Sequence, residues 1–535
     1  MQEIELKFLV PEARLKGLMR QVQVKSSQTT QLAAHYYDTS DQQLAQAGIG
    51  LRIRKEGDTW VQTIKAGGDG MASRLEHNAI LDNEQVQAML DTDSLMPDLT
   101  IYKDTPIAPA LSNFKLKKLA QKLTPLYVTD VQRTTRLLIE DSSDQVNNQT
   151  DNQTNNQASN SIEMAYDHGE IIHGTDDTQR EVIQEIEFEL VSGDLDFLFM
   201  TAKTWCKRYK LCLSTVTKAE RGGLLINGQP HSPAVYADLE QLNIDKDISM
   251  PAFVRAAVHN CLLQILPNSS AVVAGSTDNE HISQLRTGIH RLHTVLKAFA
   301  HFSDEINPDW QPILKQTDYQ LNDYLDLTHL ANHIDPELQR FGAPVTDWKT
   351  DIESLKIQPS DAVSANDFQI TLLELIAFTM SDSSIDPQAD KLAIEPIIKV
   401  LSQQHDSLLN ADKEIGDASY SIELDSDDID SGDIDSGNKQ HVHAENNDEG
   451  QSTYELRNQL TELRYITEIA SPLLHKKSFK KKTKRSLKHL IKEQKALDEY
   501  HDDIRYQQHY QLKSATDSNA LYGAGWFAAK LSIQA

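Results

Sequence analysis

Twice in this chain, acidic side chains recur at every second position while the residues between them are apolar. Near the start, Glu3, Glu5 and Lys7 alternate with Ile4, Leu6 and Phe8; later, Glu185, Glu187 and Glu189 alternate with Ile186, Phe188 and Leu190. A β-strand sends successive side chains to opposite faces, so each run predicts a strand with one charged and one apolar face. Arg52 and Arg54 set against Leu51 and Ile53 repeat the pattern, and residues 60–65, 74–80 and 133–139 also read as strands. For a single strand, a solvated charged face is the simpler reading. Many such strands carrying both signs of charge suit an antiparallel sheet closed into a barrel with the charged face inside. Such a lumen holds water, a cation and a polyanion rather than hydrocarbon.

Beyond Pro251 the period changes. Residues 253–266, 282–299, 367–380, 392–401, 454–474 and 486–500 space their apolar side chains as helices do. A chain of 535 residues exceeds one hydrophobic core, so the expectation is an α+β multidomain protein. It places a β domain at 1–228, a proline-containing linker at 229–250 and an all-α domain at 251–530. Two low-complexity stretches offer nothing to bury and read as mobile loops: 141–161, rich in Asn and Gln, and the acidic 416–450. The doubled Asp-Ile-Asp-Ser-Gly of 428–437 lacks the glycine-rich nonapeptide context of a calcium repeat. Residues 284–293 match 455–464 at a constant offset: Leu285 with Leu456, Arg286 with Arg457, Ile289 with Leu460, Leu292 with Leu463, His293 with Arg464. That echo predicts two similar helical bundles.

A net charge of −27 argues against a general nucleic-acid binder. Local charge differs: ten Lys or Arg and one acid, Glu493, lie between Lys476 and Lys495. No apolar stretch approaches the roughly 20 residues of a membrane span. The first residues lack the basic and apolar regions of a secretory leader. Cys206, Cys212 and Cys261 form no disulfide or metal pattern, which fits a reducing cytoplasm.

Hydrolysis of a phosphoanhydride needs both signs of charge in one place. Lys and Arg neutralise the phosphoryl oxygens, and a divalent cation held by a few carboxylates bridges the same oxygens and acidifies the attacking water. Glutamates at i and i+2 on a strand converge on one face and suit the second task.

Glu3-x-Glu5-x-Lys7, Tyr36-Tyr37-Asp38-Thr39, Gly50-Leu51-Arg52-Ile53-Arg54, Lys65, Arg74-x-Glu76, Arg133, Glu185-x-Glu187-x-Glu189 and Ser214-x-x-x-Lys218-x-x-Arg221-Gly222 together resemble the CYTH domain of the triphosphate tunnel metalloenzymes. The resemblance implies an eight-stranded antiparallel tunnel and a triphosphatase dependent on Mg2+ or Mn2+. It casts Glu3, Glu5, Glu185 and Glu187 as metal ligands, with Glu163 and Asp167 as further acidic candidates. Lys7, Arg52, Arg54, Lys65, Arg74, Arg133, Lys218 and Arg221 would grip the phosphates, and Glu5, Lys7 and Lys65 stand nearest the chemistry. Water is then the nucleophile. Asp38 also suits a structural role at a strand end.

In the helical half, His281-x-x-x-Leu285-Arg286-x-x-x-His290-Arg291-Leu292-His293 and the later Leu456-Arg457 to Leu463-Arg464-Tyr465 resemble the CHAD domain. That resemblance implies two pseudo-symmetric four-helix bundles and binding of inorganic polyphosphate, with Arg286, His290, Arg291, His293, Arg457, Arg464, Lys480 and Lys484 as contacts. Ser283 and the two histidines of His290-Arg291-Leu292-His293 stand where the signature usually has a histidine and permanent charges. The second bundle is therefore the better candidate. The leading expectation is hydrolysis of inorganic triphosphate. The alternatives are a hydrolase or cyclase acting on an organic triphosphate (thiamine triphosphate, ATP), or a non-catalytic polyphosphate-binding scaffold.

Overall fold

The computed structural model describes residues 2–534 apart from 68–71, 93, 141–159, 243, 415–448 and 475–476. Both low-complexity stretches therefore fall mostly outside the described residues. The described residues contain nine strands: β1 (Gln2–Leu9), β2 (Gln28–Asp38), β3 (Ile49–Glu56), β4 (Thr59–Gly67), β5 (Ser73–Leu81), β6 (Thr124–Ile139), β7 (Ser161–His173), β8 (Arg180–Ser192) and the two-residue β9 (Cys212–Leu213). They form one sheet in the order β5-β4-β3-β2-β6-β7-β8-β1-β9, and an additional β5–β1 pairing closes it. Every pairing is antiparallel. Leaving out β9, which only extends the edge of β1, the structure is the expected eight-stranded antiparallel barrel.

Closure is set by β1, whose one edge runs along β8 while the other is shared. Gln2 to Ile4 face β5, and Phe8 and Leu9 face β9. The apolar faces point outward into a core rather than into the lumen. Phe8 and Phe188 meet edge to face at 5.9 Å, and Trp205 of the helix Leu195–Tyr209 covers Phe188 at 5.5 Å. Leu51, Ile53 and Ile64 are buried in a second outer cluster that reaches Val86 and Tyr102. Each such side chain contributes about 1.5–3 kcal/mol by leaving water. The barrel thus draws its stability from its outside, which frees the inside for charge.

The helix Lys218–Ile226 closes one end of the barrel. Its Ala219, Leu225 and Ile226 pack with Tyr36, Tyr127, Val131, Ile171 and Ile183, which form an apolar floor inside the barrel. The Tyr127 hydroxyl donates to the Ala219 carbonyl at 2.9 Å. A Cβ on Gly222 would lie 2.2 Å from the Tyr127 ring, so only glycine fits there.

The chain divides into two compact units. The first comprises 1–235, 266–281 and 360–380, so two helical segments far along the chain belong with the barrel. One is the end of the helix Met250–Val273, which runs on through Pro267 past the residue where the sequence pattern ends. The other contains the helix Asn366–Met380. The second unit, 236–265, 282–359 and 381–535, is helical. The sequence echo has a counterpart there. Leu285, Ile289 and Leu292 are buried on the helix Asn279–Phe299, as are Leu456, Leu460 and Leu463 on the helix Glu449–Ala470. Arg286 pairs with Asp318 on one following helix and Arg457 with Asp498 on another. Among the described residues, no helix is long and apolar enough to cross a membrane.

Candidate active site

Register brings the alternating charges together. Across β6, β7 and β8, Arg133, Asp167 and Glu185 stand side by side; across β7, β8 and β1, so do Glu163, Glu189 and Glu5. Lys7 lies opposite Glu187. Adjacent like charges are costly on a sheet face unless cations intervene, and here they do.

At the plugged end, Asp167, Glu185 and Glu187 place carboxylate oxygens within 4.8 Å of one another. Lys218, at the start of the plugging helix, bonds all three: Asp167 at 2.6 Å, Glu187 at 2.9 Å and Glu185. Arg133 bridges Asp167 at 2.6 Å and Glu187 at 2.5 Å. Arg221 approaches Glu185 at 3.6 Å and bonds Glu181. Burial works to raise the acids, but Lys218 and Arg133 overcome it, holding Asp167 below and Glu187 well below the usual carboxylate range. Burial also opposes the charge on Lys218, and the same three acids reverse that and raise it. One oxygen of Glu185, Oε2, is buried without a hydrogen-bond partner.

Further along the lumen, Lys65 bonds Glu3 at 2.8 Å and Glu76 at 2.5 Å, while Arg74 reaches Glu5 at 3.2 Å. Burial, a hydrogen bond to Glu76 and the carboxylates around it raise Glu3 to about 9 despite Lys65. Glu76 falls to about 2: burial would raise it, but the bond from Glu3 and the Lys65 charge prevail. The pair therefore shares one proton near neutrality. Burial lowers Lys7, against the pull of Glu185, and its ammonium donates to the Val216 carbonyl. Arg52 donates to the Tyr36 hydroxyl at 3.3 Å, and Tyr36 stacks on Tyr127 at 4.8 Å. Arg54 pairs with Glu56.

The tunnel side chains expected from sequence thus line one lumen, and the six expected metal ligands divide. Asp167, Glu185 and Glu187 form one cluster; Glu3 and Glu5 lie with Lys65, Arg74 and Glu76; Glu163 neighbours Glu189. Glu76 and Glu189 were not among the expected ligands, although continuing the alternation from Arg74 and from Glu187 reaches both. Asp38 is structural: its carboxylate accepts from the backbone N–H groups of Thr39, Leu44 and Ala45 at 2.7, 2.9 and 2.9 Å.

In the helical unit, Arg291 departs from expectation. Its guanidinium is 1% exposed and donates to Gln264 at 3.1 Å and Asn260 at 3.0 Å, so it lies in the core and not on a binding face. The adjacent position on the helix turns inward, while Arg286 and His290 face Asp318 together at 2.9 and 3.0 Å. Burial lowers His293. Arg464 lies 4.5 Å over the Tyr465 ring and 3.7 Å from Glu468. The side chains of Lys480 and Lys484 fall outside the described residues.

Residues 1–222 match the CYTH domain family and residues 256–511 the CHAD domain family. The chain carries a CYTH domain followed by a CHAD domain. A curated relative from Haemophilus influenzae, named inorganic triphosphatase, is 30% identical over 231 residues, 42% of this chain and 55% of that protein. The chain thus spans about half the length of that relative. Among solved structures, the CHAD domain from the plant Ricinus communis is 20% identical, covering 57% of this chain and 92% of that one with a TM-score of 0.43. A protein from Hippeastrum, described as a candidate adenylyl cyclase with a dominant triphosphatase activity, is 14% identical over 42% of this chain and 96% of its own, with a TM-score of 0.28. Both scores are too low to support an assignment of their own.

Proposed function

We propose that the CYTH domain hydrolyses inorganic triphosphate to diphosphate and phosphate, with water as nucleophile and a divalent cation as cofactor. The observation that carries this reading is the close set of Asp167, Glu185 and Glu187 among cations in a lumen with an apolar floor. Lys218 and Arg133 balance these carboxylates here, and where those two side chains turn to phosphate oxygens instead, a metal ion would take their place. The hard oxygen donors of the carboxylates fit Mg2+ or Mn2+, and Glu185 Oε2, which has the Arg221 charge 3.6 Å away but no hydrogen bond, is one donor still to be satisfied. Asp167, Glu185 and Glu187 would hold the ion, where it supplies charge neutralisation and acidifies water.

The chain's own groups do the rest. Lys7, Arg52, Arg54, Lys65, Arg74 and Arg133 reach phosphate oxygens from the walls, and Lys218 and Arg221 from the plug. Charge-assisted hydrogen bonds from fixed donors stabilise the charge that builds on the leaving diphosphate. The Tyr36–Tyr127 stack and the helix behind it keep bulk water from the closed end, which strengthens every ion pair inside. A charge-lined lumen closed at one end admits the terminal phosphates of a triphosphate end-on, and inorganic triphosphate is the smallest chain of that kind. The related name in Haemophilus influenzae supports the same substrate.

We also propose that the CHAD domain, drawn at 251–530, is built of two related bundles. Arg286, Arg457, Arg464 and Arg505 face carboxylates, and Arg255 and Arg291 are buried.

Phosphate release from inorganic triphosphate, ATP, thiamine triphosphate and long-chain polyphosphate, measured in parallel with and without Mg2+ or Mn2+, tests the reading. Release from triphosphate with metal alone is the expected result. Glu187→Gln should reduce release more than binding. Tight polyphosphate binding with no release under any metal would establish the scaffold instead.

A further inference from the structure

The short stretch between β9 and the plugging helix, residues 213–217, controls two cations of the lumen. Val216 offers its carbonyl to Lys7, and Thr217 caps the helix, accepting from Glu220 N–H at 3.0 Å. Lys218 follows immediately. A shift of this stretch therefore moves the partner of one lysine and the backbone of the other.

What fixes the stretch is unusual for a strand. Its backbone N–H groups point alternately to two sides. Ser214 donates inward to the Lys7 carbonyl at 2.9 Å, extending the ladder with β1. Leu213 and Thr215 donate outward, where no further strand lies among the described residues. Leu213 N–H meets Gln369 Oε1 at 2.7 Å, and Thr215 N–H meets the Ser270 hydroxyl at 3.0 Å. Both acceptors are themselves held: Gln369 Nε2 donates to the Val363 carbonyl at 2.8 Å, and the Ser270 hydroxyl donates to the Leu266 carbonyl at 2.8 Å. Gln369 is 1% and Ser270 2% exposed, so water does not substitute for either. Leu266 and Ile376, from the same two segments, line a small cavity together with Glu5, Lys7 and Arg74. All these residues lie within the first compact unit.

We propose that Gln369 and Ser270, both within the CHAD match, are positioning residues of the triphosphate site. They act as two rungs of a missing neighbouring strand, fixing residues 213–217 and through them Lys7 and Lys218. Neither touches substrate. The proposal rests on the functional reading above for its catalytic consequence, but its geometric part is testable without activity.

The full chain carrying Gln369→Leu or Ser270→Ala is compared with the rescue variant Gln369→Glu, which keeps the acceptor. Two measurements are made on each. Amine labelling resolved by mass spectrometry reads Lys7 and Lys218 against Lys65, which sits in the same lumen on β4. Labelling of Lys7 and Lys218 should rise about tenfold, the factor equivalent to ~1.4 kcal/mol for a buried amide left unpaired, while Lys65 stays unchanged. Triphosphate hydrolysis should lose on the order of 100-fold in kcat, with a smaller change in KM, as for groups displaced by about 1 Å. Gln369→Glu should return both towards the parent. An equal rise at Lys65 means general loosening and overturns the proposal, as does unchanged labelling in all variants. If labelling behaves as expected but the parent protein hydrolyses no triphosphate, the positioning stands and the functional reading fails.

Discussion

Replacing Lys218 with methionine tests the electrostatic account of the lumen most directly. Its ammonium bonds all of Asp167, Glu185 and Glu187. Methionine keeps the stem's volume and removes the charge. Three carboxylates within 4.8 Å cannot all remain ionised, and one will bind a proton. Protonating a carboxyl of ordinary pKa, about 4, at pH 7 spans about three units, or ~4 kcal/mol. That matches the 3–5 kcal/mol typical of breaking a buried ion pair. The cost shrinks to ~1.4 kcal/mol at pH 5, because the proton is then easier to obtain.

In the parent protein, Lys218 and Arg133 hold Asp167 and Glu187 low. Their stabilisation is fully present above the unfolded pKa and is lost as pH falls through the folded one, so between pH 5 and 7 it stays constant. In Lys218→Met the folded state binds an extra proton over that window, so stability falls by ~1.4 kcal/mol per pH unit as pH rises. Hydrogen exchange of peptides from β7 and β8 reads the barrel separately from the helical unit. Mg2+ or Mn2+ should restore part of the loss, about 2.7 kcal/mol at a hundred times its dissociation constant. Parallel pH profiles for parent and variant, with no metal effect, would refute the assignment of Lys218 as counter-ion.

Other outcomes follow from the same structure. Because Glu3 is raised to about 9 and shares a proton with Glu76, a cation or phosphate chain that reorders this pair should change its proton count at pH 7.5. Titration calorimetry in buffers of different ionisation enthalpy measures it, and identical heats would contradict a shared proton. The stability that Glu3 contributes is complete below its unfolded pKa and disappears as pH rises through about 9. Gly222→Ala drives a methyl group into Tyr127; it should cost about 1–3 kcal/mol and lower hydrolysis, read by thermal unfolding and phosphate release. Arg291→Ala strands the Asn260 and Gln264 acceptors. It should destabilise the helical unit by about 2–4 kcal/mol, seen by urea titration, while triphosphate turnover at saturating metal stays near the parent value.

The barrel was legible because charged and apolar residues alternate so strictly in β1, β3 and β8 that one face must differ chemically from the other. Which face turns inward was not contained in any single strand; it followed from the same pattern repeating with both signs. The helix Lys218–Ile226 escaped notice because nine residues with two adjacent glycines carry little periodic signal. Its role depends on Tyr127, 95 positions before Gly222, fitting against it. The split of the carboxylates into clusters was likewise invisible, since strand register decides it. Arg291 misled for a simple reason: a guanidinium in a basic signature reads as exposed, and only Asn260 and Gln264 on another helix reveal that it is satisfied in the core. Gln369 and Ser270 left no trace, because buried amides and hydroxyls have no characteristic spacing.

The shared edge of β1 also sets a timetable. Lys7 stands opposite Glu187, 180 positions later in the chain, and β9 and the segments at 266–281 and 360–380 come later still. During synthesis β1 must wait, with its charged face unpaired, until most of the barrel's residues have emerged. Contacts between such distant positions make closure slow, since the loop entropy is lost before the pairing rewards it. Lys65–Glu76 and Arg133–Asp167 join neighbouring strands, but the charges that β1 brings, Lys7 beside Glu187 and Glu5 beside Arg74, meet their partners only at closure.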